Sequence, residues 1–437
     1  MAIALLIVVW EKAFVRKTVI AAMTLSALLG SVADALANDP DTESGADVMT
    51  RARPEYDARG IRAGSFFLYP SITGGFGFTD NVFNDSSNLS DYFYSLNPQI
   101  KFQSAWARHA LNAAIESKSY WYADQASENR TDWSFAGDAR FDIERGTDVK
   151  VDAHLRREHE PRGTDLTGGL VPGDPAEPTE LSDSGLGVEF DHTINRVRLS
   201  LGFSLDQIDY QDTPRVQPAL TPTFNNDDRD RTVTEVFVRT DIEVTEDTGV
   251  FVRGRYSQHN FKTAVDDDGF NRDSTSVGLD GGVAFSMTHI LVGELFAGYT
   301  QRSYDDPAFA DTDELGFGAG LKWFPTMLTT VSLDGARTIE DTSIAAASGY
   351  ISTRGQLGVD HELLRNVILS GRLGYENADY QDVGRNDDIL RTGLSGRFLL
   401  NSNMHFDAGW EYIDRSSSLL PFDYSTGQFS LSLTGKL

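Results

Sequence analysis

A chain of 437 residues with a net charge of -27, 24% charged residues and no cysteine excludes several classes at once. The mean hydropathy of -0.31 excludes a bundle of transmembrane helices, the acidic balance opposes nucleic acid, and the missing thiols remove thiolate metal sites and disulfide scaffolds. Beyond the amino terminus no run approaches the ~18 apolar residues of a helical span, but a strand needs only alternate side chains to meet lipid.

The amino terminus reads as an export signal. Lys12, Arg16 and Lys17 precede an apolar stretch from Thr18 to Val32, and Ala35-Leu36-Ala37 offers a small-x-small cleavage site before Asn38. Residues 1–37 are therefore expected to be a signal peptide. A second apolar patch, Ala2 to Trp10, lies upstream, so either the signal is long or the true start lies downstream of Met1. Residues 38–63 are polar and aperiodic and read as a flexible periplasmic lead-in.

From Gly64 to Leu437 one pattern repeats: segments of about ten to fourteen alternating residues, the length that crosses a bilayer as a tilted strand. Val149, Val151, Ala153 and Leu155 alternate with Lys150, Asp152, His154 and Arg156. Val197, Leu199, Leu201, Phe203 and Leu205 alternate with Arg198, Ser200, Gly202, Ser204 and Asp206. Val367, Leu369, Leu373 and Tyr375 face away from Ser370, Arg372 and Glu376, and Phe406, Ala408, Trp410 and Tyr412 away from Asp407, Gly409 and Glu411. A solvated sheet alternates too, but here the polar face carries both charge signs and no helical segment covers the apolar face.

Short connections, as at Arg145–Asp148 and Asn401–Asn403, alternate with longer acidic ones, as at Asp80–Ser90, Glu160–Leu181, Gln211–Asp228 and Asp341–Ser348. With Tyr122–Arg130 as a further long loop, the count is about eighteen strands, from Phe66–Phe78 to Gln428–Leu437. The predicted fold is all-β: an up-and-down antiparallel transmembrane β-barrel with short periplasmic turns, longer outer loops and both ends of the wall on the periplasmic side. A soluble β-propeller or β-sandwich is the competing fold. Tyr120-Trp121-Tyr122, Trp323-Phe324 and Trp410–Tyr412 read as interfacial aromatic girdles. Pro70 and Pro98 mark either a bulge or strands that start a residue or two later. The last strand, with Phe429, Leu431, Leu433 and Leu437 on one face, resembles the carboxy-terminal recognition strand of bacterial outer-membrane barrels.

The first strands carry the most specific residues. Gly64-Ser65-Phe66-Phe67-Leu68-Tyr69-Pro70 leads to Asp80-Asn81-Val82-Phe83, and Trp106-Ala107-Arg108-His109 follows. This order resembles the outer-membrane porins of the β-barrel porin 2 type, found in alphaproteobacteria and related Gram-negative bacteria. The motifs cover Gly64 to Leu111, and the remainder agrees in architecture. The resemblance implies a channel in the cell outer membrane, and some relatives are associated with secretion of capsule or exopolysaccharide. It implies as partners outer-membrane lipid and lipopolysaccharide, the barrel assembly machinery and, for the export variant, periplasmic polysaccharide-export proteins.

No catalytic residues and no cofactor are expected. The eight histidines stand singly, without His-Glu-x-x-His or Gly-x-Ser-x-Gly; a barrel hydrolase assembled across strands is the remote alternative. Asp227-Asp228 and Asp266-Asp267-Asp268-Gly269 lack the full spacing of a calcium loop and read as solvated surface. The expected pore lining is the polar face: Arg198, Asp206, Arg253, Arg255, Arg372, Glu376, Arg391, Arg397 and Glu411, with Asp241 and Glu243. Such rings set the field of a pore, unless the same charges pair to fill an occluded barrel.

Overall fold

The computed structural model describes residues 47–163, 174–287, 290–342, 344, 346–419 and 422–437. The expected signal peptide, its cleavage site and His289 lie outside them. One antiparallel sheet runs through β1 (Phe66–Thr79), β2 (Asp91–Ser104), β3 (Ala110–Tyr122), β4 (Arg130–Glu144), β5 (Thr147–His159) and β6 (Glu180–Ile194). It continues through β7 (Val197–Tyr210), β8 (Arg231–Thr245), β9 (Thr248–Phe261), β10 (Ser274–Met287), β11 (Leu291–Tyr304) and β12 (Thr312–Thr326). It ends with β13 (Thr329–Glu340), β14 (Tyr350–Leu364), β15 (Val367–Tyr380), β16 (Asn386–Asn401), β17 (Met404–Ser417) and β18 (Tyr424–Lys436).

Each strand pairs with its sequence neighbours, and the last pairs with the first from Ser71↔Lys436 to Thr79↔Gln428. The sheet is thus a closed barrel of eighteen strands. Inside the seam Thr73 Oγ1 and Thr434 Oγ1 lie 2.8 Å apart. Ile61–Ala63 adds a short strand to the start of β1. Among the described residues no helix is long and apolar enough to cross a membrane.

The side-chain distribution inverts that of a soluble protein. Arg239, Asp191 and Asp280 are almost fully buried, while Leu201, Leu279 and Leu369 are 43%, 61% and 43% exposed. Water would penalise such a surface, since large contiguous apolar patches are rare on soluble monomers. Hydrocarbon does not, and closure satisfies the backbone groups that lipid cannot. The period-two pattern therefore puts its apolar set on the outside.

Two expectations need correction. Pro70 and Pro98 lie inside β1 and β2 without a register shift between them, Pro70 opposite Ile100 and Pro98 opposite Ile72. Pro70 stands just before the β1–β18 ladder begins at Ser71, so its missing amide hydrogen costs no ladder bond there. At Pro98 the β2–β3 ladder keeps its register from Leu96↔Ser119 to Gln99↔Glu116 but is interrupted at Asn97 and Pro98, the local cost of the missing amide hydrogen. Of the Tyr120-Trp121-Tyr122 cluster only Trp121 faces outward; Arg130 lies over the inward Tyr120 ring at 4.8 Å.

The lead-in expected to be flexible is seated from Asp47 onward. Val48 donates its amide to Thr330 Oγ1 at 3.0 Å and buries its side chain against Ile368 and Leu399, with Met49 and Tyr56 beside them. Arg51 and Arg53 both pair with Glu362, and Lys322 Nζ reaches Asp47 Oδ2 at 3.0 Å. These partners are inward residues at the short-turn ends of β12 to β16, so the segment occupies the periplasmic mouth.

Candidate functional site

The inner wall is a large surface built from polar side chains, and strand parity decides its membership. All eleven residues expected to line a pore project from inward positions: Arg198 and Asp206 on β7, Asp241 and Glu243 on β8, Arg253 and Arg255 on β9, Arg372 and Glu376 on β15, Arg391 and Arg397 on β16, and Glu411 on β17. Phe429, Leu431 and Leu433 on β18 face outward, and Leu437 follows it at the periplasmic rim.

The charges pair mostly along the wall. Arg372 Nη2 holds Asp360 on β14 at 2.8 Å, Arg391 Nη1 holds Glu376 at 3.0 Å, and Arg397 Nε holds Asp407 on β17 at 2.7 Å. On the other side, Arg253 and Arg255 share Asp280 of β10, both at 3.0 Å. Arg198 and Lys150 converge on Asp191 at 2.8 and 2.6 Å. Adjacent inward residues meet this way because neighbouring strands lie only about 4.8 Å apart. A guanidinium bonded to the next strand lies flat against the wall.

Other contacts reach over intervening strands: Arg239 Nη2 on β8 holds Glu294 on β11 at 2.9 Å, and glycine permits another. His154 on β5 lies 3.9 Å from Asp206 on β7 across the intervening β6, where the inward residue is Gly185. A Cβ at Gly185 would collide with both side chains.

The outer end is narrower. Glu160–Gly163 leaves β5 and reaches over the mouth to the β1–β2 loop and β17, where Arg162 accepts at its carbonyl from Asn84 Nδ2 (2.9 Å) and Gly163 from Arg415. Arg162 is itself buried, paired with Glu128 at 2.7 Å. The long outer loops Glu160–Leu181 and Gln211–Asp228 bond to each other: Ala176 N to Pro214 O at 2.7 Å and Val216 N to Asp174 O at 2.8 Å. Among the described residues, the loop after β13 reaches the inner wall through Asp341, which touches β8, β9 and β11.

Sequence reasoning missed Arg231, Arg239, His259, Arg302 and Asp341. Parity was available for three of them, because His259 shares the face of Arg253 and Arg255, and Arg231 and Arg239 that of Asp241. Nothing in the sequence points Asp341 inward.

No group of three or more His, Cys, Asp or Glu side chains is placed to hold a metal among the described residues. Asp266 instead fixes its own turn, accepting from the amide of Phe270 at 2.8 Å and from Arg272 Nε at 2.6 Å. The described histidines bond to carboxylates, as His159 to Asp132 at 2.7 Å, to threonines, as His361 to Thr329 at 2.9 Å, or to the backbone amide of Asp142.

A family profile described as "Putative beta-barrel porin 2" matches residues 53–437. The chain belongs to that family. As a member with a closed, lipid-facing barrel, this porin resides in the outer membrane. No curated protein matches it. Among solved structures the porin is similar to OccK2 (OpdF) of Pseudomonas aeruginosa at 10% identity and a TM-score of 0.45, covering 85% of this chain and 97% of that one. OpdO of the same organism matches at 12% identity and 0.41, with 85% and 97% covered. A mutant of its ferric enterobactin receptor PfeA matches at 7% and 0.46, with 87% and 81% covered. These values are too low to set any detail of the porin, whose fold rests on its own strand ladders.

Proposed function

We propose that the barrel is a passive, non-enzymatic conduit for small hydrophilic solutes and that the inward residues named above line its path. The single observation that carries this is the direction of the ion pairs. Arg372–Asp360, Arg391–Glu376, Arg397–Asp407 and Arg253–Asp280 each join neighbouring strands. Charges satisfied along the wall need no partner across the axis, and about eighteen strands enclose enough room for an aqueous channel. Arg255, Arg372, Arg391 and Arg397 keep 31%, 29%, 20% and 33% of their side chains exposed, while Arg198 and Arg253 are packed against the wall. Arg239–Glu294 reaches farther, from β8 to β11 over the two strands between, and marks a packed part of the wall.

Residues 47–57 and the loops of the outer mouth narrow the two ends and set how much of that room a solute sees. Liposome swelling tests the reading: vesicles holding the folded protein should swell in small sugars and more slowly as sugar size rises. Swelling no faster than in protein-free vesicles would count against a conduit.

Export of a polysaccharide made by the same cell is the second reading. It is supported by the family resemblance and by an inner wall able to hydrogen-bond a hydrated polymer, and it requires both narrowed ends to open. A deletion strain with normal surface polysaccharide but reduced uptake of a small solute would eliminate it. The assembly machinery is the proposed reader of Phe429, Leu431, Leu433 and Leu437.

A further inference from the structure

Near the outer ends of β8, β9 and β11, Arg231, His259 and Arg302 converge on one carboxylate that comes from elsewhere in the chain. Asp341, the first residue after β13, accepts at Oδ1 from Arg302 Nη1 (2.8 Å) and at Oδ2 from His259 Nδ1 (2.9 Å), and Arg231 Nε stands 3.1 Å from Oδ2. Arg302 Nη2 also meets His259 Nε2 at 3.1 Å. A guanidinium only donates, so Nε2 accepts and the ring hydrogen sits on Nδ1, aimed at Asp341. Ser276 Oγ steadies Arg302 through Nε at 3.0 Å. Two guanidiniums thus face one carboxylate. The neighbouring Glu340 is engaged separately, by Thr338 at 2.7 Å and Arg354 at 3.9 Å.

The loop behind Asp341 is drawn in with it. Arg272 donates to the carbonyls of Thr342 (2.9 Å), Ala347 (3.0 Å) and Ile344 (3.2 Å), and Ala347 and Ser348 are buried. Among the described residues, the Arg272 clip and local packing are what else holds this loop inward.

We propose that Arg231, His259 and Arg302 form a binding site for the carboxylate of a solute in the lumen, filled at rest by Asp341, which a solute carboxylate displaces. The chemistry favours a carboxylate because the donors split between two oxygens of a planar group, and charge-assisted bonds to carboxylate are the strong ones. The tether gives Asp341 a high effective concentration, so the site yields only to abundant or multiply bonded anions and otherwise keeps the loop in place. This rests on the conduit reading for its purpose, but not for its test.

The test uses acetate, which replaces the missing side-chain carboxylate, and acetamide, its neutral counterpart. In the full folded protein carrying Asp341→Ala, Tm should rise with the logarithm of acetate concentration. It should not do so with acetamide, in the native protein, or in Asp341→Ala/Arg302→Gln. A second measurement leaves Asp341 intact: a Ser348→Cys thiol, buried at rest, should be alkylated several-fold faster in high acetate than in equal acetamide. Acetate acting no better than acetamide in both measurements would overturn the site. Acetate binding without any channel current would keep the site and remove the conduit; current without acetate binding would do the reverse.

Discussion

Glu362→Ala should release the amino-terminal segment from the periplasmic mouth. Arg51 and Arg53 both end on the same Glu362 oxygen, whose side chain is 8% exposed. A hydrogen bond to a charged group contributes about 1.5–3 kcal/mol. Two bonds sharing one oxygen overlap, so their joint loss should cost docking about 2–3 kcal/mol. That shifts the undocked population by about 30–150-fold. The chain has no cysteine, so Val48→Cys places a single thiol where the native side chain is 1% exposed. Maleimide then reports how often the segment leaves its seat, provided docking is faster than alkylation. The rate should rise by that factor in the Glu362→Ala background and fall back with Glu362→Asp. A change of less than about threefold, or a thiol already fully reactive beside Glu362, would refute the docking.

Leu201→Arg, on the lipid face, should lower stability in urea titrations from lipid vesicles by about 2–4 kcal/mol, and Ser204→Arg, on the inner face, by much less. Equal costs would contradict the orientation. Gly185→Val should cost about 1–3 kcal/mol by overpacking against His154 and Asp206 in the same titration. For Asp341, burial opposes ionisation, but His259, Arg302 and Arg231 override it and hold the carboxyl well below the usual range. A depressed folded pKa contributes stability above the unfolded value of about 4, lost as pH falls through the folded value. The loop after β13 should therefore stay seated from neutral to mildly acidic pH and release only in strong acid; Ser348→Cys alkylation against pH checks it.

What the sequence made legible is what period two encodes. Leu199, Leu201 and Phe203 against Arg198, Ser200 and Gly202 identify wall, lipid face and lumen face from local spacing alone, and the alternation of short and long connections orients the barrel. Where the side chains go after leaving a strand was not legible. Val48 reaches Thr330 across 282 residues and Arg51 reaches Glu362 across 311, and neither segment carries a periodic signal. Asp341 resembles any acidic loop residue until the curvature of the wall brings β8, β9 and β11 to face it. Pro70 misled because the ladder rule was applied to both edges of a strand that is paired on one side only at that residue.

Ionic current through single molecules in a planar bilayer tests the conduit most directly. Folded protein, verified by heat-modifiable gel mobility, should give discrete conductance steps, with larger or more frequent openings in Glu362→Ala and a shift toward cation preference in Arg255→Glu. A silent bilayer from folded native protein and from Glu362→Ala alike would contradict the conduit and leave a closed structural barrel.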